Sequence, residues 1–98
     1  MMKKNYTRTG RLCRVTFKIA PTVKAEQAVL CGDFNQWDQT THPMKRLKNG
    51  GFSSTITLTA GRSYRFRYLL DQKQWENDEQ ADSYQKNVFG SEDSIVQT

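Results

Sequence analysis

Short runs in which apolar and polar residues alternate are the feature that most constrains the fold of this chain. The clearest run is CRVTFKI, residues 13–19, in which every second side chain from Cys13 to Ile19 is apolar. A period of two residues places these side chains on one face of a β-strand, whereas an amphipathic helix needs a period of about 3.6 residues. No stretch of the chain has a convincing helical period. The pattern therefore predicts an all-β fold.

A second strand is predicted at QAVLCG, residues 27–32. Its denser apolar run is typical of a more central strand. The period leaves two arrangements open, because either Ala28 and Leu30 or Val29 and Cys31 can face the core.

Turn residues separate the later strands. Asn49 and Gly50 can both adopt positive φ, which predicts a type I′ turn into a strand that begins at Phe52. The next strand, RSYRFRYLLD, alternates so that one set of side chains faces the core (Tyr64, Phe66, Tyr68 and Leu70) and two arginines face outward (Arg65 and Arg67). The polar segment 76–90 is predicted to be irregular, and DSIVQT to be the last strand. Short strands with turns between them predict a small antiparallel β-sandwich.

Both tryptophans lie in predicted turns and not on a core face. Trp37 ends the motif GDFNQW just after a strand, and Trp75 follows the turn DQKQ. Exposed aromatic rings usually indicate a partner. The apolar face of a sugar ring fits an indole, and the outward Arg67 can donate hydrogen bonds to hydroxyl groups. The alternative is that each tryptophan caps one open end of the sandwich.

The charge is uneven along the chain. The net charge is +5, and seven cationic residues precede the first acidic one, Glu26. Residues 1–10 are predicted to be a flexible basic arm, and residues 11–98 to be the folded domain. A basic arm can bind phosphate backbones or anionic lipid. We expect neither a nucleic acid nor a membrane as partner, because no nucleic-acid-binding motif and no interleaved aromatic residues accompany the charge.

The cysteines and the single histidine do not suggest a metal or redox site. Cys13 and Cys31 have no CxxC spacing, and His42 lies in a loop. We expect two half-buried thiols on neighbouring strands, no metal and no cofactor. No export signal or transmembrane run is present, so a cytoplasmic location is expected.

Enzymatic activity is not expected. A glycosidase needs two carboxylates at a fixed separation across a cleft. The acidic residues between Glu76 and Asp82 are clustered in a polar segment, where we expect a solvated surface.

Three motifs, VLCGDFNQW, YRFRYLLDQKQWEND and NVFGSEDSIVQT, resemble the family-48 carbohydrate-binding modules. These are early-set, immunoglobulin-like domains that precede the catalytic barrel of isoamylases and glycogen-branching enzymes. The chain is also similar to the glycogen-binding domain in the beta subunit of AMP-activated protein kinase. The resemblance extends from about Cys13 to Thr98. It implies an immunoglobulin-like β-sandwich that binds α-1,4-glucans such as glycogen and maltooligosaccharides.

The resemblance also implies six carbohydrate-binding residues. Two tryptophans would be the sugar platforms, a basic residue would lie in the strand before the second tryptophan, and a C-terminal loop would supply the rest (Trp37 and Trp75; Arg67; Phe89, Ser91 and Asp93). Two departures from the family pattern are visible. The turn before Trp75 is longer than the usual Asp-Gly turn, and Asp93 stands where the family has asparagine.

The expected function is therefore that of a stand-alone, non-catalytic α-glucan-binding module that recruits or regulates a glycogen-metabolising enzyme. The alternative is a protein–protein interaction module of the same fold that has lost sugar binding.

Overall fold

The computed structural model describes residues 2–98. Within this range the chain forms a single short 3₁₀ turn at Asp33–Asn35 and nine strands: β1 (Met2–Tyr6), β2 (Leu12–Ile19), β3 (Ala28–Gly32), β4 (Lys45–Arg46), β5 (Phe52–Thr59), β6 (Ser63–Leu70), β7 (Gln74–Glu76), β8 (Ser83–Lys86) and β9 (Glu92–Gln97). No helix in this range is long and apolar enough to cross a lipid bilayer.

The strands form two antiparallel sheets. The first sheet has the order β1-β2-β5-β4, and the second has the order β3-β6-β9-β8 with β7 added beside β6. The chain crosses between the sheets at the Ala60-Gly61 turn, since β5 and β6 belong to different sheets. The prediction of an all-β antiparallel sandwich is confirmed.

Alternate residues of both sheets meet in the core. From β2 the inward residues are those of the apolar period, from Cys13 to Ile19. From β6 they are Phe66, Tyr68 and Leu70, with Tyr64 partly buried at the margin. Phe17 and Phe66 pack edge to face, with ring centroids 4.9 Å apart, and so join the two sheets.

The structure decides the orientation of β3. Ala28 and Leu30 join the core, while Cys31 is paired in register with Arg67 on the outer face of the second sheet. Cys13 lies on β2 in the first sheet. The expectation of two half-buried thiols on neighbouring strands is therefore wrong, because both thiols are fully buried, free, and on different sheets.

The N-terminal segment differs from the predicted flexible arm. Met2–Tyr6 form an edge strand that pairs with β2 along its whole length. Met2 packs against the core, and the Tyr6 hydroxyl donates to the Thr98 carbonyl at 2.5 Å. Lys4 Nζ lies 2.6 Å from Asp82 Oδ2. These contacts are made to distant parts of the chain, so local composition does not reveal them.

A type I′ turn forms at Asp71 and Gln72, and not at the predicted position, Asn49 and Gly50. Around Asn49 only Gly50 has positive φ, at 92°, although a type I′ turn needs positive φ at both central residues. Asp71 and Gln72 meet that requirement, with φ of 51° and 63°, between β6 and β7. The Lys73 amide closes this turn by donating to the Leu70 carbonyl at 3.1 Å.

Segment 76–90 is more ordered than its polarity suggests. It contains the end of β7 and the whole of β8, which pairs with β9. Asp78 is not part of a solvated acidic surface, because it is only 2% exposed and accepts a hydrogen bond from the Tyr68 hydroxyl at 2.6 Å. Burial first, and the Asp78 carboxylate second, raise the pKa of Tyr68 above its ordinary value.

Candidate functional site: a groove on the second sheet

An open groove of about 790 Å³ lies on the outer face of the second sheet. All six residues predicted as carbohydrate-binding line it: Trp37, Arg67, Trp75, Phe89, Ser91 and Asp93. Four further lining residues were not predicted as site residues: Arg65, Lys86, Asn87 and Val88.

The first half of GDFNQW attaches the motif to the neighbouring strand. Gly32 lies so close to β6 that an added Cβ would be 2.4 Å from the Arg65 carbonyl oxygen, a distance that no other residue can accommodate. The Arg65 amide donates to Asp33 Oδ2 at 2.9 Å. The turn is therefore held against the strand that carries the groove arginines.

The second half of the motif folds the turn and orients the tryptophan. Phe34 packs near Phe17 and Tyr64, with ring centroids 5.9 and 6.1 Å away. Asn35 Oδ1 accepts from the Gly32 amide at 3.1 Å, and its Nδ2 donates to the Leu30 carbonyl at 3.0 Å. Within the motif, Phe34 therefore packs against the core, and Asn35 holds the turn through its side chain.

Gln36 and Trp37 both have left-handed backbone conformations, with φ of 56° and 58°. Such a conformation costs about 1–3 kcal/mol for a non-glycine residue, and residues of this kind are concentrated at binding and active sites. The Trp37 amide donates to the Gly32 carbonyl at 2.9 Å. The backbone therefore turns back on itself and directs the indole over the sheet.

Trp75 is positioned by the turn at Asp71 and Gln72. Asp71 Oδ1 accepts from the Glu26 and Gln27 amides at 2.8 and 2.9 Å, which fixes the turn to the β2–β3 connection. The hydrogen bond from Gln27, followed by that from Glu26, lowers the pKa of Asp71. Strand β7 then pairs with β6 so that Trp75 lies opposite Leu69, on the outer face.

The two tryptophans meet on this face. Their ring centroids are 6.3 Å apart and their planes are inclined by 70°. Neither ring belongs to the core cluster, and Trp75 is 39% exposed. The longer turn before Trp75 therefore does not separate the rings, and both rings line the groove.

Arg67 forms the polar floor of the groove. Its Nη2 donates to Ser91 Oγ and to the Glu92 carbonyl, both at 2.7 Å. Its Nε lies 2.9 Å from Asp93 Oδ1. Three partners on β9 and its preceding loop thus hold the guanidinium in one orientation.

Asp93 is the shared partner of both groove arginines. Arg65 Nη1 lies 3.2 Å from Asp93 Oδ2, and Arg65 also donates to the Lys86 carbonyl at 3.3 Å. The Asp93 side chain is only 8% exposed. This buried position beneath the arginines is more typical of a residue that orients them than of a residue that contacts a ligand directly.

Asn87 organises the loop between β8 and β9. Its Nδ2 donates to Ser91 Oγ at 3.0 Å and to Asp93 Oδ1 at 3.1 Å, while its Oδ1 accepts from the Phe89 amide at 2.9 Å. The loop tip is left unburied, with Val88 94% exposed and Phe89 90% exposed. Two large apolar side chains therefore project beside the groove.

Cys31 is paired in register with Arg67 and is fully buried. Its Sγ donates weakly to the Asp38 carbonyl at 3.4 Å. Burial, followed by the Asp38 carboxylate, raises the pKa of the thiol to about 11. A thiol of this kind is inert at neutral pH.

The four groove residues that were not predicted as site residues differ in whether the sequence pattern could have identified them. Arg65 shares the outward face of β6 with Arg67, so the alternation that identified one could have identified the other. Asn87 and Lys86 lie in a segment that was predicted to be irregular, and their roles depend on the pairing of β8 with β9. Among residues 2–98 no cluster of histidine, cysteine or acidic side chains is arranged to hold a metal ion.

Comparison with known families identifies this architecture. Residues 14–85 match the family described as carbohydrate-binding module 48 (isoamylase N-terminal domain). The chain belongs to this family. The match is to the carbohydrate-binding module 48 family as a whole and does not single out the kinase subunit. No curated protein matches the chain.

Membership of the carbohydrate-binding module 48 family agrees with the early-set, immunoglobulin-like sandwich. The modules of this family are non-catalytic, and residues 14–85 therefore form a binding unit whose family ligand is an α-glucan.

Proposed function

We propose that the groove on the second sheet binds linear α-1,4-glucans. The observation that carries this proposal is the pair of tryptophans that line the groove, with ring planes inclined by 70°, beside an arginine whose guanidinium is already oriented. Trp37 and Trp75 would each stack against the apolar face of one glucose unit, and Arg67 would donate to hydroxyl groups between them. Phe89 and Ser91 would contact the sugar from the loop, and Asp93 would hold the arginines.

The inclined rings favour a curved ligand. A straight chain can lie flat on one of two faces that meet at 70°, whereas an α-1,4-linked chain bends and can follow both. The expected affinity is weak, on the order of tens of micromolar to millimolar, because an open groove has few anchors.

The test is isothermal titration with maltoheptaose and, as a straight control ligand, cellohexaose. We expect the wild-type protein to bind the first sugar and not the second. Trp37→Ala or Trp75→Ala should weaken binding by about 1–3 kcal/mol without unfolding the domain. Leu12→Ala is the matched control, because Leu12 is similarly exposed (43%) on the other sheet and should not affect binding.

The protein-interaction alternative gives the opposite results. Absence of heat with maltoheptaose at millimolar concentration, together with lowered melting temperatures for both tryptophan variants, would mean that the rings are structural.

We also propose that the module acts by bringing a glycogen-metabolising enzyme to its polymer. Adding the purified module should then increase the amount of a glycogen-branching enzyme that sediments with glycogen, and the Trp37→Ala variant should not. Equal sedimentation with and without the module would contradict recruitment.

A further inference from the structure

The charge of the molecule is segregated between the two sheets. The four strands of the first sheet carry six cationic residues and no acidic one (Lys3, Lys4, Arg14, Lys18, Lys45 and Arg46). The strands of the second sheet carry three cations and three acids (Arg65, Arg67 and Lys86; Glu76, Glu92 and Asp93). All ten acidic residues of the chain thus lie outside the first sheet.

The register places a set of these cations on one outward face. Lys3 is opposite Thr16, Arg14 is opposite Thr57, and Lys45 is opposite Ser53, while the alternate residues of β2 are in the core. We call the outward side of β1, β2, β4 and β5 the basic face. The side chains between its cations are mainly threonine and serine, as shown by the Thr16 and Thr55 hydroxyls, which are 2.9 Å apart.

Three cations of the basic face, Lys3, Arg14 and Lys45, are exposed and have no carboxylate partner among residues 2–98. By contrast, Lys4 of the same β1 strand has its side chain on the opposite side, where it pairs with Asp82. Unneutralised like charges on one face create a positive potential there, and this potential attracts an anionic partner.

We propose that the basic face docks onto an anionic lipid bilayer. Four strands at a spacing of about 4.8 Å make a face roughly 15 Å wide, and the register puts Lys3, Arg14 and Lys45 on the same side of it. The negative potential of such a membrane decays within a Debye length, so cations that share one outward face can approach it together. The earlier expectation of no membrane partner assumed a flexible arm, whereas Lys3 is fixed in β1.

A nucleic acid fits this face less well. A duplex is a cylinder, so a face roughly 15 Å wide meets only one stripe of its phosphates at a time. Single strands are normally held by aromatic side chains on which bases stack, and the outward positions of these four strands contain none.

Membrane docking leaves the groove accessible. The groove is on the second sheet and the basic face is on the first, so the two surfaces point in opposite directions. The bound module would hold its second ligand on the side away from the lipid.

The experiment is sedimentation with vesicles of phosphatidylcholine alone or mixed with phosphatidylserine. We expect the wild-type protein to bind only the mixed vesicles, and to be released by high salt. Each cation near an anionic surface strengthens binding about fivefold, so Lys3→Gln/Arg14→Gln/Lys45→Gln should bind about a hundredfold more weakly. The control Lys24→Gln/Arg62→Gln/Lys73→Gln removes the same charge from connections between strands and should keep most of the binding.

Several results would overturn this proposal. They are equal binding to both vesicle types, equal losses for the two triple variants, or tighter binding to duplex DNA than to the mixed vesicles. Circular dichroism checks that each variant is folded. If the triple variant is not folded, Arg14→Gln alone replaces it, with an expected loss of about fivefold in vesicle affinity. Saturation of the vesicle-bound protein with maltoheptaose should leave vesicle binding unchanged. Failure of maltoheptaose to bind at all would count against the glucan proposal and not against the membrane one.

Discussion

Replacing Asp93 tests whether the groove depends on one buried carboxylate. Asp93→Ala removes the partner of Arg67 Nε at 2.9 Å and of Arg65 Nη1 at 3.2 Å, and it also removes one of the two acceptors of Asn87 Nδ2. The side chain of Arg67 is only 16% exposed, so water cannot fully replace the lost carboxylate, whereas that of Arg65 is 31% exposed.

The size of the effect follows from this burial. Removing one member of a fully buried ion pair costs about 3–5 kcal/mol, because the remaining charge has no partner. Partial exposure of the arginines reduces the expected loss to about 2–3 kcal/mol. In a domain of this size that loss corresponds to a decrease of roughly 10–20 °C in melting temperature.

Urea unfolding and thermal melts measure this loss, and Lys4→Gln provides the comparison. The Lys4–Asp82 pair is shorter, at 2.6 Å, but its side chains are 25% and 28% exposed, so its loss should cost less than about 1 kcal/mol. Asp93→Asn keeps the shape and one acceptor oxygen, and should be less destabilising than Asp93→Ala while still weakening maltoheptaose binding. Equal stability of Asp93→Ala and Lys4→Gln would refute the view that Asp93 organises the groove.

Three other changes have defined outcomes. Deleting residues 1–6 should lower the free energy of unfolding by at least about 2 kcal/mol, because the deletion removes β1 and the packing of Met2. An unchanged urea midpoint would restore the flexible-arm interpretation. In a Cys13→Ala background, Cys31 should react with a thiol reagent at pH 8 roughly a hundredfold more slowly in the native state than in the unfolded state. The rate in the native state should increase as the pH approaches about 11. Similar rates in the two states would contradict the burial of this thiol. Asp71→Asn should be less stable than the wild-type protein at pH 7. Because folding lowers the pKa of Asp71, the stability that its carboxylate contributes is present above the unfolded carboxyl pKa of about 3.9 and is lost as the pH falls through the folded value. The melting temperatures of the variant and the wild-type protein should therefore converge in acid. A constant difference down to the lowest pH would contradict this.

The inward residues of a strand were predictable where apolar and polar residues alternate within the strand itself. The alternation in β2 and β6 correctly identified the inward residues, because a period of two is independent of what the strand packs against. The choice between Ala28 and Cys31 in β3 was not readable, since both faces of this strand are covered, one by the core and the other by the loop at Asp38.

Features that depend on distant partners were not predictable. Strand β1 has little apolar pattern, and it is held by pairing with β2 and by contacts with Asp82 and Thr98. Asp78 lies in a polar segment, but it is buried because Tyr68 donates to it and Ser94 Oγ accepts from its amide. Turn type was misjudged because Asp71, although not glycine, can adopt positive φ when two amides bind its side chain.

The motif GDFNQW separates residues that build the fold from one that the fold presents. Gly32 permits close contact with β6, Asp33 binds the Arg65 amide, Phe34 packs between the sheets, and Asn35 pins the turn. Each of these four has its polar or apolar groups satisfied by the protein itself. Trp37 lies outside the core cluster, and the chain adopts two unfavourable backbone conformations to place it beside Trp75 in the groove. Backbone conformations of this kind are held by the surrounding fold and are concentrated at binding sites, which supports the proposal that the groove holds a ligand.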